Sequence, residues 1–211
     1  MSLFPIFLKL NGRHCLVVGA GDVAESKVQS LLAAEADVTV VAPEAKTALA
    51  ALASAGRFTW HQREFQPSDL DGMFLVVAAT NHTDVNALVF SVAGKRNVIC
   101  NAVDDPPNCD FYFPSIVKRG DLQIAISTAG ESPALAQQLR KDIDQQLPQD
   151  LGPWLEALGN LRREVVEILP AGEPRKLLLH ELAQRQVCEL EACPSRQLAH
   201  RAAASQAKLS S

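Results

Sequence analysis

Apolar and polar positions in the first half of the chain alternate between two periods. Cys15–Val18 is a short apolar run, broken by Gly19-Ala20-Gly21. Ala24, Val28, Leu31 and Leu32 then recur at the spacing of one helix face. Val38–Ala42 is a second run, rich in β-branched residues, and a helix is predicted over Glu44–Ala55. Arg57–His61 reads as a third strand. Met73–Ala79 reads as a fourth, apolar on both faces as a central parallel strand requires. Thr83–Lys95 is predicted helical with Thr83 as its N-cap, and Val98–Ala102 is the fifth strand. This alternation specifies an α/β fold, a doubly wound parallel sheet of Rossmann type. Its weakest segment is Gln62–Gly72, close to the minimum length for a parallel crossover.

After Pro107 the texture changes. Phe111–Lys118 and Leu122–Thr128 read as two strands joined through Arg119-Gly120-Asp121 in a hairpin-like turn. Ser132 as N-cap and Pro133 at the first helical position open a helix that runs to about Gln146. From Leu151 onward the pattern is helical. Trp154, Leu158, Leu161, Val165 and Ile168 form one apolar stripe, Leu177–Cys188 carries another, and Arg201–Ser211 is a small, polar, fraying tail.

Composition narrows the function classes. The chain has 211 residues, 47% of them hydrophobic and 21% charged, with a mean hydropathy of +0.03, which is globular and excludes disorder as the main state. The net charge of −4 argues against a broad basic surface for nucleic acid, but allows a local cationic pocket. The longest apolar run, Met73–Ala79, is far short of the ~20 residues of a membrane span. The N-terminus has no basic region and carries Pro5, so no signal peptide is expected. Five cysteines (Cys15, Cys100, Cys109, Cys188, Cys193) without a C-x-x-C pair point to a reduced, cytoplasmic protein.

Gly19-Ala20-Gly21-Asp22-Val23-Ala24 is G-x-G-x-x-A between a strand and a helix. There the first glycine permits the tight turn, the second lets a pyrophosphate approach the backbone, and the small third residue lets helix and strand pack closely. The helix N-terminus adds free N–H groups, although a tight turn without a ligand is the other reading. The acid usual at the end of the second strand is missing. That strand ends Val41-Ala42-Pro43-Glu44, so either Glu44 or the backbone around Pro43 meets the adenosine ribose. Nothing basic stands at the strand end itself, Lys46 lying two residues beyond Glu44, which favours NAD over NADP. Asn101–Pro107 leaves the fifth strand on the edge where such folds bind ligands. Asp104 there is either a proton acceptor or part of a turn, and Asp105, directly before Pro106, reads as turn chemistry. His14, His61, His82, His180 and His200 are scattered without metal-ligand spacing.

Leu3–Phe7 (LFPIF), Gly19–Lys27 (GAGDVAESK), Ala78–Asn81 (AATN), Cys100–Pro106 (CNAVDDP), Phe113–Ile116 (FPSI) and Ser127–Ala134 (STAGESPA) together resemble the precorrin-2 dehydrogenase/sirohydrochlorin ferrochelatase family, whose module also forms the N-terminal half of siroheme synthases. The resemblance runs from about Leu3 to Leu151 and more loosely beyond. It implies NAD-dependent oxidation of precorrin-2 to sirohydrochlorin, with ferrous iron insertion following in some members. It implies a homodimer: an NAD-binding Rossmann domain over 1–112, a dimerisation segment over 113–147 and a helical C-terminal domain over 148–211. Gly19, Gly21, Asp22, Val23, Pro43, Glu44 and Thr80 fall on the family's cofactor site. Asp104 matches its catalytic carboxylate, and Asn101, Ser115, Ser127, Thr128 and Gly130 match substrate-binding positions. No permanent metal site is implied. The family's methyltransferase half has no room before Ser211, as in a stand-alone form.

A tetrapyrrole substrate bears many carboxylates, so an acidic chain must bind it locally. Candidates are Lys118-Arg119 at the hairpin turn, and the Ser127–Gly130 turn with the helix start at Ser132-Pro133. Arg140-Lys141 reads as complementation of the helix dipole. Two other functions share these features, a non-catalytic NAD-sensing regulatory module and an unrelated dehydrogenase on the same sheet.

Overall fold

The computed structural model describes residues 3–184, which fall into two compact units divided after Phe113. The first holds five parallel strands: β1 (His14–Val18), β2 (Asp37–Val41), β3 (Thr59–His61), β4 (Leu75–Ala78) and β5 (Ile99–Ala102), in the order β3-β2-β1-β4-β5. Helices α1 (Asp22–Ala33), α2 (Thr47–Ser54) and α3 (Thr83–Lys95) connect them. The side-chain alternation of a strand sorts the core into two layers. Cys15, Val17, Val38, Val40, Leu75 and Val77 face one side with Ala24, Val28 and Leu31 of α1 and Leu49 of α2. Leu16, Val18, Val41, Val76 and Ala78 face the other with Val89, Val92 and Ala93 of α3. Burial on both faces is why these strands read as unbroken apolar runs.

The sheet and its connections match the α/β expectation, with local departures. Helix α2 starts at Thr47, not Glu44. The Lys46 N–H donates to the Ala20 carbonyl at 3.2 Å, and that bond holds Lys46 in extended backbone ahead of the helix. Thr83 is the first residue of α3 and His82 its N-cap, because the Asn86 N–H already donates to the His82 carbonyl at 3.0 Å. The crossover before β4 contains a 3-10 turn, Pro67–Leu70. Asp69 fixes it by accepting from the Gln66 N–H at 2.8 Å and from both guanidinium nitrogens of Arg63 at 2.8 and 2.5 Å. The Arg63 contact holds the Asp69 carboxyl below its ordinary range although burial alone would raise it.

In the second unit, β6 (Ser115–Arg119) and β7 (Leu122–Ile126) form an antiparallel hairpin, shorter than the runs around them. Helices α4 (Pro133–Gln146), α5 (Leu151–Ile168) and α6 (Glu173–Ala183) follow. Ser132 caps α4 as expected, its Oγ accepting from the Leu135 N–H at 3.2 Å. Helix α4 packs on β6 and α5 on β7. Gly152 rides so close to the hairpin turn that a Cβ there would stand 3.0 Å from the Gly120 nitrogen. The predicted stripe Leu177–Cys188 begins inside α6, and its part from residue 185 lies outside the described residues, as does the tail.

Candidate active site

The chain leaves β1 to one side of the sheet and reaches β4 on the other, so the crevice at their carboxyl ends is the topological switch point where such sheets bind ligands. Gly19 lines it with φ of +103°, in the region that favours glycine. A Cβ on Gly19 would meet the Ala79 carbonyl oxygen at 2.4 Å. Bonds from the Gly19 N–H to the Val41 carbonyl (2.9 Å) and from the Ala79 N–H to the Val18 carbonyl (2.8 Å) hold the three strand ends together. Gly21 caps α1 with open space where its side chain would be. The first intrahelical bond runs from the Glu25 N–H to the Gly21 carbonyl, so the N–H groups of Asp22, Val23 and Ala24 lack helical acceptors. A close-packed first glycine, an open second and three free donors fit the pyrophosphate of a dinucleotide.

Pro43 and Glu44 are exposed just past β2. Lys46, which the sequence places beyond this strand end, returns to the glycine bend: its ammonium forms an ion pair with the Asp22 carboxylate. The cation at the crevice is therefore already matched. Past β4, Thr80 is held by Asn86, a buried residue that the sequence reading missed. The Asn86 amide donates to the Thr80 carbonyl at 3.0 Å, and its Oδ1 accepts from the Thr80 N–H (3.3 Å) and Oγ1 (2.7 Å). A polar residue on the buried face of a helix otherwise lined by Val89, Val92 and Ala93 was the available signal.

The loop leaving β5 is built by polar side chains. Buried Asn101 donates its amide to the Phe111 carbonyl at 2.7 Å, and Asp110 accepts from the Cys100 N–H at 2.9 Å. Asp105 accepts from the Asn108 amide at 2.7 Å, the turn role expected of it. Asp104 is different. It is exposed, has φ of +59°, and makes no hydrogen bond or salt bridge among the described residues. The Val103 N–H donates to the Ala78 carbonyl at 2.9 Å, which fixes the residue before Asp104 to the end of β4. The nearby cation is Lys27 of α1, whose amine burial pushes down while Asp104 pushes it up.

Gly19, Gly21, Asp22, Val23, Pro43, Glu44, Thr80, Asn101 and Asp104 thus share one edge of the first unit, the carboxyl ends of its strands. Ser115, Ser127, Thr128 and Gly130 belong to the second unit, where Ser115 pairs with Ile126 at the open end of the hairpin. Ser127 Oγ accepts from the Ala129 N–H at 3.1 Å and Thr128 Oγ1 from the Ser132 N–H at 3.2 Å, so each hydroxyl keeps its own proton to donate. Lys118-Arg119 divides. Lys118 is exposed, whereas the Arg119 side chain is only 10% exposed and clamps the end of α4. It bonds to the Asp144 carboxylate and carbonyl, both at 2.8 Å, so Arg119 is a packing cation and not a free one for substrate.

Cys15 and Cys100 are buried in their strands, and burial pushes their thiols up to about 11 and about 12. Cys109 donates to the Ala102 carbonyl at 3.0 Å, while Cys188 and Cys193 lie outside the described residues. No group of His, Cys, Asp and Glu among the described residues could hold a metal ion, and none of their helices is long and apolar enough to cross a membrane.

A parallel sheet whose switch point carries a glycine bend and an open helix N-terminus defines a nicotinamide-dinucleotide-binding domain. Comparison with known proteins agrees. Residues 6–115 match a family described as "Putative NAD(P)-binding", and residues 119–146 match "Sirohaem biosynthesis protein central". The siroheme synthase of Photorhabdus laumondii is 44% identical over 176 residues, covering 83% of this chain and 37% of the relative. Siroheme synthase 3 of Aeromonas hydrophila is 44% identical over 177 residues, covering 83% of this chain and 38% of the relative. The chain thus spans less than two-fifths of the length of these synthases. The solved structure of SirC, a precorrin-2 dehydrogenase, superposes with a TM-score of 0.82 at 25% identity, covering 95% of this chain and 98% of that one. The chain belongs to the family described as "Putative NAD(P)-binding", and in sequence and fold it is similar to the siroheme synthases and to precorrin-2 dehydrogenase.

Proposed function

We propose that this protein oxidises precorrin-2 to sirohydrochlorin with NAD as the electron acceptor, in the synthesis of siroheme. The observation that carries the reading is the placement of Asp104, an unpaired carboxylate leaving the strand beside the dinucleotide crevice. The names of the relatives supply the substrate. The oxidation removes a hydride and a proton from the macrocycle, and a bound nicotinamide supplies the hydride acceptor. The chain's own part is to hold the dinucleotide on the α1 N–H groups and to take the proton on Asp104. Asp104 is exposed and free of internal partners, so its carboxylate can reach a substrate without first breaking a bond.

NAD is favoured over NADP because Lys46, a cation between β2 and α2, is occupied by Asp22. Ferrous insertion into sirohydrochlorin is the second step assigned to the same carboxylate, since metallation displaces two protons from the ring nitrogens; iron is then a substrate. A homodimer is supported by exposed apolar side chains in the second unit, Ile116, Leu135 and Leu139. Cytoplasmic work suits its free cysteines. The test is to supply purified protein with precorrin-2 and NAD, then ferrous or cobaltous ion, and follow absorbance. Conversion to sirohydrochlorin only when NAD is present is expected. No conversion with either NAD or NADP would overturn the reading.

A further inference from the structure

An acidic macrocycle needs a cation near its reacting edge, and Arg119 is closed inside the α4 clamp. The first unit offers another. Ala24, Lys27, Val28 and Leu31 follow the i, i+3, i+4, i+7 pattern of a single helix face, and all but Lys27 are buried core residues. Lys27 is a lysine on a core stripe. Its ammonium lies 3.7 Å from the centre of the Phe113 ring and within electrostatic reach of Asp104. It makes no hydrogen bond or salt bridge among the described residues.

A half-buried ammonium has lost part of its hydration, and a ring face replaces only some of it. Its three N–H donors still need acceptors. Packing of the stem accounts for the methylenes, as it does for many lysines at the edge of a core. It does not account for a head group within electrostatic reach of a carboxylate that it does not bond. An oxygen anion arriving between Lys27 and solvent would satisfy those donors.

Resting on the precorrin-2 reading, we propose that Lys27 is a substrate-binding residue that anchors one carboxylate of the tetrapyrrole beside Asp104. One helix would then serve both reactants. The first turn of α1 faces the dinucleotide, and Lys27 stands about 7.5 Å further along its axis from Asp22.

The test compares Lys27→Met, which keeps the stem and removes the charge, with Lys27→Arg and with Lys95→Met, an exposed lysine on α3. For Lys27→Met the KM for precorrin-2 should rise about ten- to a hundredfold, the range of one charge-assisted contact. The expected kcat and NAD dissociation constant stay within about twofold, and the salt dependence of KM weakens. Lys27→Arg should restore most of the loss, and Lys95→Met should change nothing. An unchanged KM, a fall in kcat alone, or weakened NAD binding would each overturn the anchor. Should Lys27→Met not fold, Lys27→Gln repeats the comparison. Should the wild type fail to oxidise precorrin-2, the functional reading falls by itself. Titration of sirohydrochlorin into wild type and variant then decides the anchor separately: weaker binding by the variant supports it and equal affinity removes it.

Discussion

Gly19 and Ala79 meet at the carboxyl ends of β1 and β4 so closely that a single methyl group on Gly19 would stand 2.4 Å from the Ala79 carbonyl oxygen. That contact closes the floor of the crevice, while Gly21, two residues on, faces open space. The two glycines therefore fail differently when substituted. Gly19→Ala combines a clash with backbone and a disfavoured φ, and is expected to cost about 2–4 kcal/mol of folding stability. Gly21→Ala should cost less than about 1 kcal/mol but weaken NAD binding, because its methyl group enters the space open to the pyrophosphate. Thermal melts with and without NAD separate the two.

Asp22 and Lys46 set a second expectation. Asp22→Asn frees the Lys46 ammonium at the ribose end of the crevice. The ratio of KM for NADP to KM for NAD should fall several-fold, since a 2′-phosphate gains an attractive partner and loses a repulsive one. Steady-state kinetics with both coenzymes measure it. A ratio unchanged by the substitution would show that the ion pair plays no part in selectivity.

Arg63 and Asp69 give the fold a pH dependence of known sign. The folded-state carboxyl of Asp69 lies below its ordinary value. Its contribution is therefore fully present above the unfolded value near 4 and is lost as pH falls through the folded one. Asp69→Asn should cost about 2 kcal/mol at neutral pH, and the difference from wild type should shrink as denaturation is repeated at pH 4 and below.

Arg119 and Lys118 are neighbours in sequence with opposite expected effects. Arg119→Met removes the charge-assisted bonds to Asp144 and to the end of α4 and should destabilise the protein by about 2 kcal/mol. Lys118→Ala, at an exposed position, should stay within about 0.5 kcal/mol. Chemical denaturation in a Trp60→Phe background, where Trp154 is the one remaining tryptophan, reports on this unit by fluorescence.

The parallel sheet was legible because β1, β2 and β4 are buried on both sides and so appear as uninterrupted apolar runs. The glycine bend was legible because its geometry demands particular residue types at fixed spacing. What escaped was set by contacts between distant segments. Helix α2 starts late because the backbone of Lys46 is tied to Ala20. Lys46 stands apart from the glycine bend along the chain, and that separation does not show that the strand end turns back toward α1. The crossover before β4 has no periodicity, as one 3-10 turn and the Arg63–Asp69 contact do the work of a helix. Lys118 and Arg119 looked equivalent as charges, and only the position of Asp144 distinguishes them. Lys27 carried a usable signal, a charged residue on a buried helical stripe, but it was overlooked inside the glycine motif.

If Asp104 accepts the proton while the glycine bend holds the coenzyme, Asp104→Asn separates turnover from coenzyme binding. Asparagine tolerates the left-handed backbone at this position as well as aspartate does, so the loop keeps its shape and only the base is removed. NAD titration and precorrin-2 oxidation are measured on the same preparation. The expected result is an NAD dissociation constant within about twofold of wild type, with turnover reduced by roughly a hundred- to ten-thousandfold. Turnover equal to wild type in a variant that folds and binds NAD would remove Asp104 from the proton transfer.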